Sequence, residues 1–308
     1  MRVAVCATVL NESRDAGALV DSLRSQLRAP DELVIVDGGS SDGTAEILRE
    51  ALVGMPGAQV IDAPGANISA GRNLAVRATQ AEFIAFTDAG IMRSPEWLGA
   101  LIDAADQASS AAGAFGYILA APGNTVESAI GAVGLPSASE IDPAHYPPSG
   151  GSVLLRRQWF ERVGGFPEWL DYGEDLWLDR RVWAMGGWFV HAPGADVRNR
   201  PRSSLPAFFR QYYHYAWGDG RAGMLGKRHA ARFAAYTVGL ALARRPSWAR
   251  TALLMFLGYR YVRRPIERAR GLPGSGPAAP ALVPLVRVVG DVAKMSGYAA
   301  GCWRRLRG

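Results

Sequence analysis

The amino-acid sequence predicts an α/β protein: an open, doubly wound sheet with helices on both faces, followed by a C-terminal basic helical region. Three observations carry this expectation. Over residues 1–100, short apolar runs alternate with stretches whose leucines recur at helical spacing. Acidic and amide residues, Asn11-Glu12, Asp37 and Asp88, follow those runs at their carboxyl ends, where open α/β sheets bind ligands. The charge then reverses. Residues 1–200 hold 15 Lys and Arg against 25 Asp and Glu, and residues 201–308 hold 19 against 3, so a net −10 is followed by a net +16.

Residues 3–9 are apolar and predict a buried first strand; Asn11-Glu12 interrupts them too early for a signal peptide. Leu19, Leu23 and Leu27 mark a helix that Pro30 stops. Residues 33–36 predict a second strand, with Ile47 and Leu48 in the helix after it. Val60 and Ile61 mark a third strand, residues 69–78 a helix, and residues 83–87 a fourth strand. Ser94-Pro95 predicts a helix cap with proline in the first turn, opening a helix to about Ser109.

Residues 113–200 are rich in glycine, proline and tryptophan, with short strand signals at 115–119 and 152–155. From Leu205 the pattern is helical and basic, broken at 271–280 by a Gly/Pro-rich segment that reads as a flexible linker. The boundaries that follow are 1–110, 111–204 and 205–308. A hydrophobic content of 49% over 308 residues allows a large core. Cys6 and Cys302 match no disulfide or metal spacing, which points to a reducing compartment, the cytosol.

The turn at 36–44, Val-Asp-Gly-Gly-Ser-Ser-Asp-Gly-Thr, places small residues where a ligand approaches the backbone, and Asp42 can cap the next helix. Taken alone it reads equally as a plain βα turn. It is neither a P-loop nor a G-x-G-x-x-G fingerprint. Arg72, alone, reads as a solvated surface arginine. Glu174-Asp175 precedes an amphipathic stretch and stands at a helix N-terminus, where the dipole favours acids for stability.

Together and in order, Thr8-Val9-Leu10-Asn11-Glu12, residues 36–44, Gly71-Arg72-Asn73 and Thr87-Asp88-Ala89-Gly90 resemble the motifs of family 2 glycosyltransferases, which have the GT-A fold. The resemblance extends through Gly173-Glu174-Asp175, about the first two thirds of the chain. It implies an inverting enzyme that takes a sugar from a nucleotide-sugar donor, with 1–110 the donor-binding half and 111–204 the acceptor-binding half. It places Thr8, Asn11, Glu12, Asp37, Gly38, Arg72, Asn73 and Asp88 at the donor. Asp175, beside Glu174, would be the general base that deprotonates the acceptor hydroxyl. Asp88 would ligate a divalent cation, Mg²⁺ or Mn²⁺, on the donor diphosphate.

The sequence departs from the family at Gly38, where relatives often carry a second acid, and at Gly90, which replaces the second acid of Asp-x-Asp. Asn199 stands where many relatives have histidine, and His191 reads as a packed or capping residue. These departures leave an alternative: a nucleotide-sugar-binding or scaffolding protein of the same fold with a weakened metal site. Residues 209–220 sit where processive relatives carry Gln-x-x-Arg-Trp, but His214 and Tyr215 replace the last two. The segment reads as an aromatic helix that closes the site or meets the bilayer, or as core aromatics. Trp169 reads as a platform for a sugar face or as a packed tryptophan.

In the tail, apolar runs at 233–243 and 251–262 are separated by Arg244-Arg245-Pro246, and neither reaches the ~20 residues that span a bilayer. They predict amphipathic helices in the interface of an anionic membrane, which places the protein on the cytoplasmic face of the cell membrane with a lipid-linked or envelope glycan acceptor. Arginines interleaved with aliphatic runs, and no nucleic-acid motif, rank nucleic acid well below the membrane.

Overall fold

The structure, a computed structural model, describes residues 1–244 and 247–307. Arg245 and Pro246, between the two apolar runs of the tail, and Gly308 lie outside the described residues. The chain forms two compact units, Met1–Leu119 with Ala138–Asn199, and Ala120–Ser137 with Arg200–Gly308.

The first unit runs β1 (Val3–Val9), α1 (Ala16–Arg24), β2 (Glu32–Asp37), α2 (Thr44–Ala51), β3 (Ala58–Asp62), α3 (Ile68–Arg77), β4 (Phe83–Phe86), β5 (Ile91–Met92), α4 (Trp97–Gln107), β6 (Gly113–Phe115) and β7 (Ile118–Ala120). Helix α5 (Thr125–Gly134) follows and belongs to the second unit. The first unit resumes with β8 (Val153–Arg156), α6 (Arg157–Val163), α7 (Glu174–Ala184), β9 (Phe189–His191) and β10 (Val197–Asn199).

The main sheet has the order β3-β2-β1-β4-β8-β6-β9. Strands β3, β2, β1 and β4 are mutually parallel, as the alternating pattern predicts. Strand β8 runs antiparallel to β4 and to β6, and β9 is parallel to β6, so the expected doubly wound sheet is mixed on this side. Val3, Ala4, Val5, Cys6 and Ala7 are fully buried, because a central strand with both faces covered must be apolar at every position. Burial also pushes the Cys6 thiol up to about 12, which leaves it inert.

Three expectations are corrected here. Helix α4 begins at Trp97, not at Ser94-Pro95, and its cap is remote: Gln26 accepts from the Leu98 N–H at 3.0 Å and donates to the Ser94 carbonyl at 2.8 Å. The strand expected over 115–119 is two strands, because Gly116 lies so close to the Ala195 carbonyl that no Cβ fits there. And the helix expected from Ser69 starts one residue earlier, since the Asn67 side chain accepts from the Ala70 N–H at 2.9 Å.

The second unit packs α5 with α8 (Leu205–Ala222), α9 (Gly226–Ala243), α10 (Trp248–Gly271) and α11 (Ala279–Leu306). Ala129, Ile130 and Val133 of α5 share a core with Phe208, Ala269, Val283 and Val286. The boundary expected at 204/205 therefore misses 120–137, which folds with the tail. Helices α8 and α11 meet backbone to backbone: Gly297 and Gly301 lie against the Tyr213 and Trp217 carbonyls, and Gly220 against that of Tyr298. The segment expected as a flexible linker is a tight connection. A Cβ on Gly274 would stand 3.2 Å from the Pro122 carbonyl and one on Gly276 2.7 Å from the Thr125 hydroxyl. Among the described residues, no helix is long and apolar enough to cross a membrane.

Candidate active site

Parallel pairing sets Val9 of β1 opposite Asp37 of β2, and Cys6 of β1 opposite Phe86 of β4. The loops after these strands therefore leave from one edge of the sheet. Asp37 is 2% exposed; its Oδ1 accepts from the Gly39 and Ser40 N–H groups at 2.7 Å each, while its Oδ2 is buried with no hydrogen-bond partner. A desolvated carboxylate oxygen without a donor is costly, and an incoming N–H or hydroxyl relieves that cost. Gly38 is required by space: a Cβ there would stand 2.9 Å from the Ala66 carbonyl oxygen. Gly39, at φ 100°, is required by backbone conformation.

Asn11 and Glu12 brace this turn from the neighbouring loop. The Asn11 side chain accepts from the Ser41 N–H at 2.9 Å, its own N–H donates to Ser40 Oγ at 2.8 Å, and the Glu12 N–H donates to Thr44 Oγ1 at 2.9 Å. Asp42 accepts from the Thr44 hydroxyl at 2.5 Å and from the Ser13 N–H at 3.1 Å, and these bonds hold its carboxyl down to about 2. The cap expected of Asp42 is thus part of a lattice joining two loops. The Thr8 hydroxyl is buried without a partner, and Gly71 leaves room for the Thr8 side chain under α3.

Arg72 is the centre of the second half of the site. It is 2% exposed, the opposite of a solvated surface arginine. Its Nη1 donates to Glu174 at 2.7 Å and its Nη2 to Asp88 at 2.8 Å, and the guanidinium lies 5.3 Å from the centroid of the Phe166 ring. Space for it exists because residue 150 is glycine; a Cβ would occupy the guanidinium's place. Arg93, which sequence reasoning missed, fixes the end of β4 by donating to Thr87 Oγ1 at 2.7 Å and to the Asp88 carbonyl at 3.0 Å.

Asn73 is corrected. Expected at the donor, it is buried, and its amide is spent on the turn before α7: it donates to the Phe166 carbonyl and to Glu168 at 2.9 Å each and accepts from the Phe166 N–H at 2.9 Å. Both of its N–H donors and its acceptor are thereby satisfied. Asn67 and Ser69 hold the same turn through the Glu168 and Leu170 carbonyls, so α3 positions the start of α7.

Glu174 and Asp175 occupy the first turn of α7. Burial and the adjacent Asp175 carboxylate push Glu174 up to about 7, against the pull of Arg72. Burial raises Asp175 as well, opposed by Arg72 and by the Leu176 N–H that donates to it at 2.7 Å. Asp179, one turn on, is 3% exposed with Oδ2 unpartnered, and burial with the Asp175 charge drives it well above the usual carboxylate range. Gly150, Phe166, Asp175 and Asp179 line a cavity of about 10 Å³, roughly the space of one water. The i, i+4 spacing of Asp175 and Asp179 was the available sequence signal.

Asp88 keeps 38% of its side chain exposed while one oxygen is held by Arg72. At Gly90 (φ 72°) no second acid projects, but the carboxylate of Asp15 lies 3.5 Å from where its Cβ would be. Asp15 was not anticipated. Among the described residues, no group of three or more His, Cys, Asp or Glu side chains is placed to hold a metal ion. His191 is packed, as expected: its ring stacks on Tyr117 at 3.8 Å and its Nε2 meets Asp196 at 2.8 Å. Asn199 lies in β10, opposite Ile91 of β5. Trp169 is 48% exposed.

The family model "Glycosyl transferase family 2" matches residues 4–163 and "Glycosyl transferase family group 2" matches residues 142–287. The succinoglycan biosynthesis protein ExoA of Rhizobium meliloti (strain 1021) is 29% identical over 234 residues, which cover 72% of this chain and 69% of that protein. The mannosyltransferase PcManGT from Pyrobaculum calidifontis, solved in complex with GDP-Man and Mn²⁺, superposes with a TM-score of 0.63 at 18% identity, over 95% of this chain and 86% of that one. A mycobacterial protein of known structure follows with a TM-score of 0.50 at 18% identity, over 72% of this chain and 75% of that one. The first family match spans more than half of the chain, from β1 to α6, and takes in the turn at Asp37, Arg72 and Asp88. This chain is a glycosyltransferase and belongs to glycosyl transferase family 2.

Proposed function

We propose that the enzyme transfers a sugar, with inversion, from a nucleotide-sugar donor to a lipid-linked or cell-envelope glycan acceptor at the cytoplasmic face of the membrane. The observation that carries the reading is the tie through Arg72. One buried guanidinium holds Asp88, after β4, and Glu174, at the start of α7, and so brings Asp175, the neighbour of Glu174, near Asp88.

Burial, together with the gathering of the Asp88, Glu174 and Asp175 carboxylates around Arg72, raises the proton affinity of the pair on α7. A carboxylate lifted toward neutrality is a competent general base. Asp175 takes the proton of the acceptor hydroxyl as that oxygen bonds to the anomeric carbon; the bond from that carbon to the diphosphate breaks, and the nucleotide diphosphate leaves with the electron pair. Attack opposite the leaving group inverts the centre. Arg72 gives one N–H of each terminal nitrogen to a carboxylate, and its buried, unpartnered Nε leaves a donor for an oxygen of the donor diphosphate. Asp37, through its unpartnered Oδ2, receives a donor N–H or hydroxyl from the nucleoside.

The carboxylates fit a divalent cation: Asp88 is part-exposed, and Asp15 stands where the missing second acid would begin. Asp88, joined by Asp15, would hold Mg²⁺ or Mn²⁺, and the ion, when bound, supplies positive charge to the leaving diphosphate.

The membrane part rests on the tail. Trp248, Leu253, Met255, Phe256, Leu257 and Tyr259 of α10 are exposed on a helix that also carries Arg250, Arg260, Arg263 and Arg264. An exposed helix that mixes apolar, aromatic and arginine side chains suits the interface of an anionic bilayer. Co-sedimentation with anionic vesicles that falls as salt rises supports it; sedimentation with DNA but not vesicles overturns it.

The test of the chemistry is Asp175→Asn. Transfer is expected to fall by at least about 10³-fold while the nucleotide still raises the melting temperature. Normal transfer by this variant would sink the assignment. Binding of donor without transfer or hydrolysis by the unaltered protein, across UDP-, GDP- and dTDP-sugars with Mn²⁺, would favour the scaffolding reading.

A further inference from the structure

In the helical unit, cations outnumber the carboxylates that could neutralise them. Asp291 of α11 is 1% exposed; its Oδ1 accepts from Arg232 Nε at 2.9 Å, and its Oδ2 from the hydroxyls of Tyr236 at 3.1 Å and Tyr261 at 2.6 Å. Both of its oxygens are therefore in use. Arg287, one turn before it, lies 4.2 Å from the centroid of the Tyr261 ring, and Lys294, one turn after it, 4.4 Å from that of Tyr212 on α8. Arg228 precedes Arg232 by one turn of α9. Among the described residues, no carboxylate forms an ion pair with Arg228, Arg287 or Lys294.

Two further features mark the place as built for an anion. The Nε of Arg287 is buried and has no hydrogen-bond partner. The first turn of α9 carries Lys227 and Arg228 and no acid, although a helix N-terminus favours negative charge. Burial and the charges of Arg232, Arg228 and Arg287 push the Lys294 ammonium down to about 7, against the pull of Asp291. Arg232, Arg287 and Lys294 are half-buried and Arg228 is exposed beside them, and like charges gathered at such partial burial repel at a cost that a bound counter-ion lowers. Guanidinium groups and an ammonium match the oxygens of phosphate in both charge and donor geometry.

We infer that Arg228, Arg232, Arg287 and Lys294 form a binding site for the phosphate or diphosphate group of an amphiphilic ligand. Exposed Leu257, one turn before Tyr261 on α10 and so on the same side of that helix, meets its hydrocarbon part. Only the identification of that ligand with a lipid-linked acceptor rests on the proposed function; the site itself does not. A stripe of surface arginines would attract any anionic surface, whereas this cluster saturates with one ligand.

The test uses the full chain, with inorganic pyrophosphate, farnesyl diphosphate, and phosphatidylcholine vesicles with and without phosphatidic acid as probes. Each phosphate probe is expected to raise the melting temperature saturably, farnesyl diphosphate at the lower concentration. Lys294→Met and Arg287→Gln should each weaken binding by roughly tenfold or more, while Arg304→Gln, an exposed charge on the same helix, leaves it unchanged. Without ligand, Lys294→Met should melt no lower than the unaltered protein, because repulsion is relieved; this separates lost binding from lost folding. Tighter binding of vesicles with phosphatidic acid, sensitive to Lys294→Met, assigns the group to a membrane headgroup; farnesyl diphosphate alone assigns it to a prenyl-linked ligand. Equal binding of pyrophosphate and farnesyl diphosphate overturns the amphiphile. No saturable binding, or equal losses in Lys294→Met and Arg304→Gln, overturns the site. Donor-sugar hydrolysis unchanged in Lys294→Met would leave the catalytic reading standing in either event.

Discussion

Glu174 bonds to Arg72 at 2.7 Å with side chains 8% and 2% exposed, and Arg72 turns its other terminal nitrogen to Asp88. A buried ion pair of this kind is destabilising to break, because the remaining charge is left without a partner. Arg72→Gln should lower the unfolding free energy by about 3–5 kcal/mol, read from urea denaturation. Gly150→Ala should displace the guanidinium without removing it. It is expected to cost both stability and activity, and a normal Gly150→Ala enzyme would refute the packing described for Arg72.

The proton on the acid pair makes stability depend on pH. Glu174 in the folded protein is raised to about 7 from an ordinary 4.5, so the stability tied to its protonated form is complete below the unfolded value and is lost as pH rises through the folded one. Relative to Glu174→Gln, the unaltered protein should lose on the order of 3 kcal/mol between about pH 4 and about pH 8. Parallel stability curves for the two proteins would mean that Glu174 stays ionised throughout.

Asp37 divides its work between two oxygens. Oδ1 closes the turn on Gly39 and Ser40, and Oδ2 waits for a donor. Asp37→Asn keeps an oxygen for the turn and replaces the other acceptor with an amide donor. Its melting temperature is expected to stay within about 2 °C of the unaltered protein, while nucleotide affinity by calorimetry falls about tenfold or more. Equal affinity in the two proteins removes Asp37 from the nucleotide pocket.

Helix α4 is capped from a distance. Gln26→Leu should therefore cost about 1–2 kcal/mol, whereas Ser94→Ala should cost less than about 0.5 kcal/mol, both from chemical denaturation. The reverse order would restore the local cap that Ser94-Pro95 predicts.

The parallel half of the sheet was readable because a strand buried on both faces must be an unbroken apolar run, as at β1, β2 and β4. The residues after those strands were readable as a cluster for the same topological reason. Arg72 was readable only through its motif: a lone arginine near a helix start has the signature of a surface residue, and nothing local announces partners as remote as Asp88 and Glu174. The direction of β8 was silent, since three apolar residues in a row read the same both ways. Asn73 was misplaced because its motif neighbours, Gly71 and Arg72, belong to the site while its own side chain turns to the Phe166 loop. Gln26 and Asp15 act through space on residues far along the chain, so spacing carried no trace of them.

Helix α5 is translated in the middle of the first unit, yet the partners of Ile130 and Val133 include Val283 and Val286 on the last helix. On the ribosome its apolar face can be met first by Phe208 of α8 and Ala269 of α10, and it stays partly uncovered until α11 emerges. Loss of α11 removes more than a tail: it strips cover from α5, a helix encoded between two stretches of the first unit, and such truncations are expected to aggregate rather than to yield a smaller enzyme.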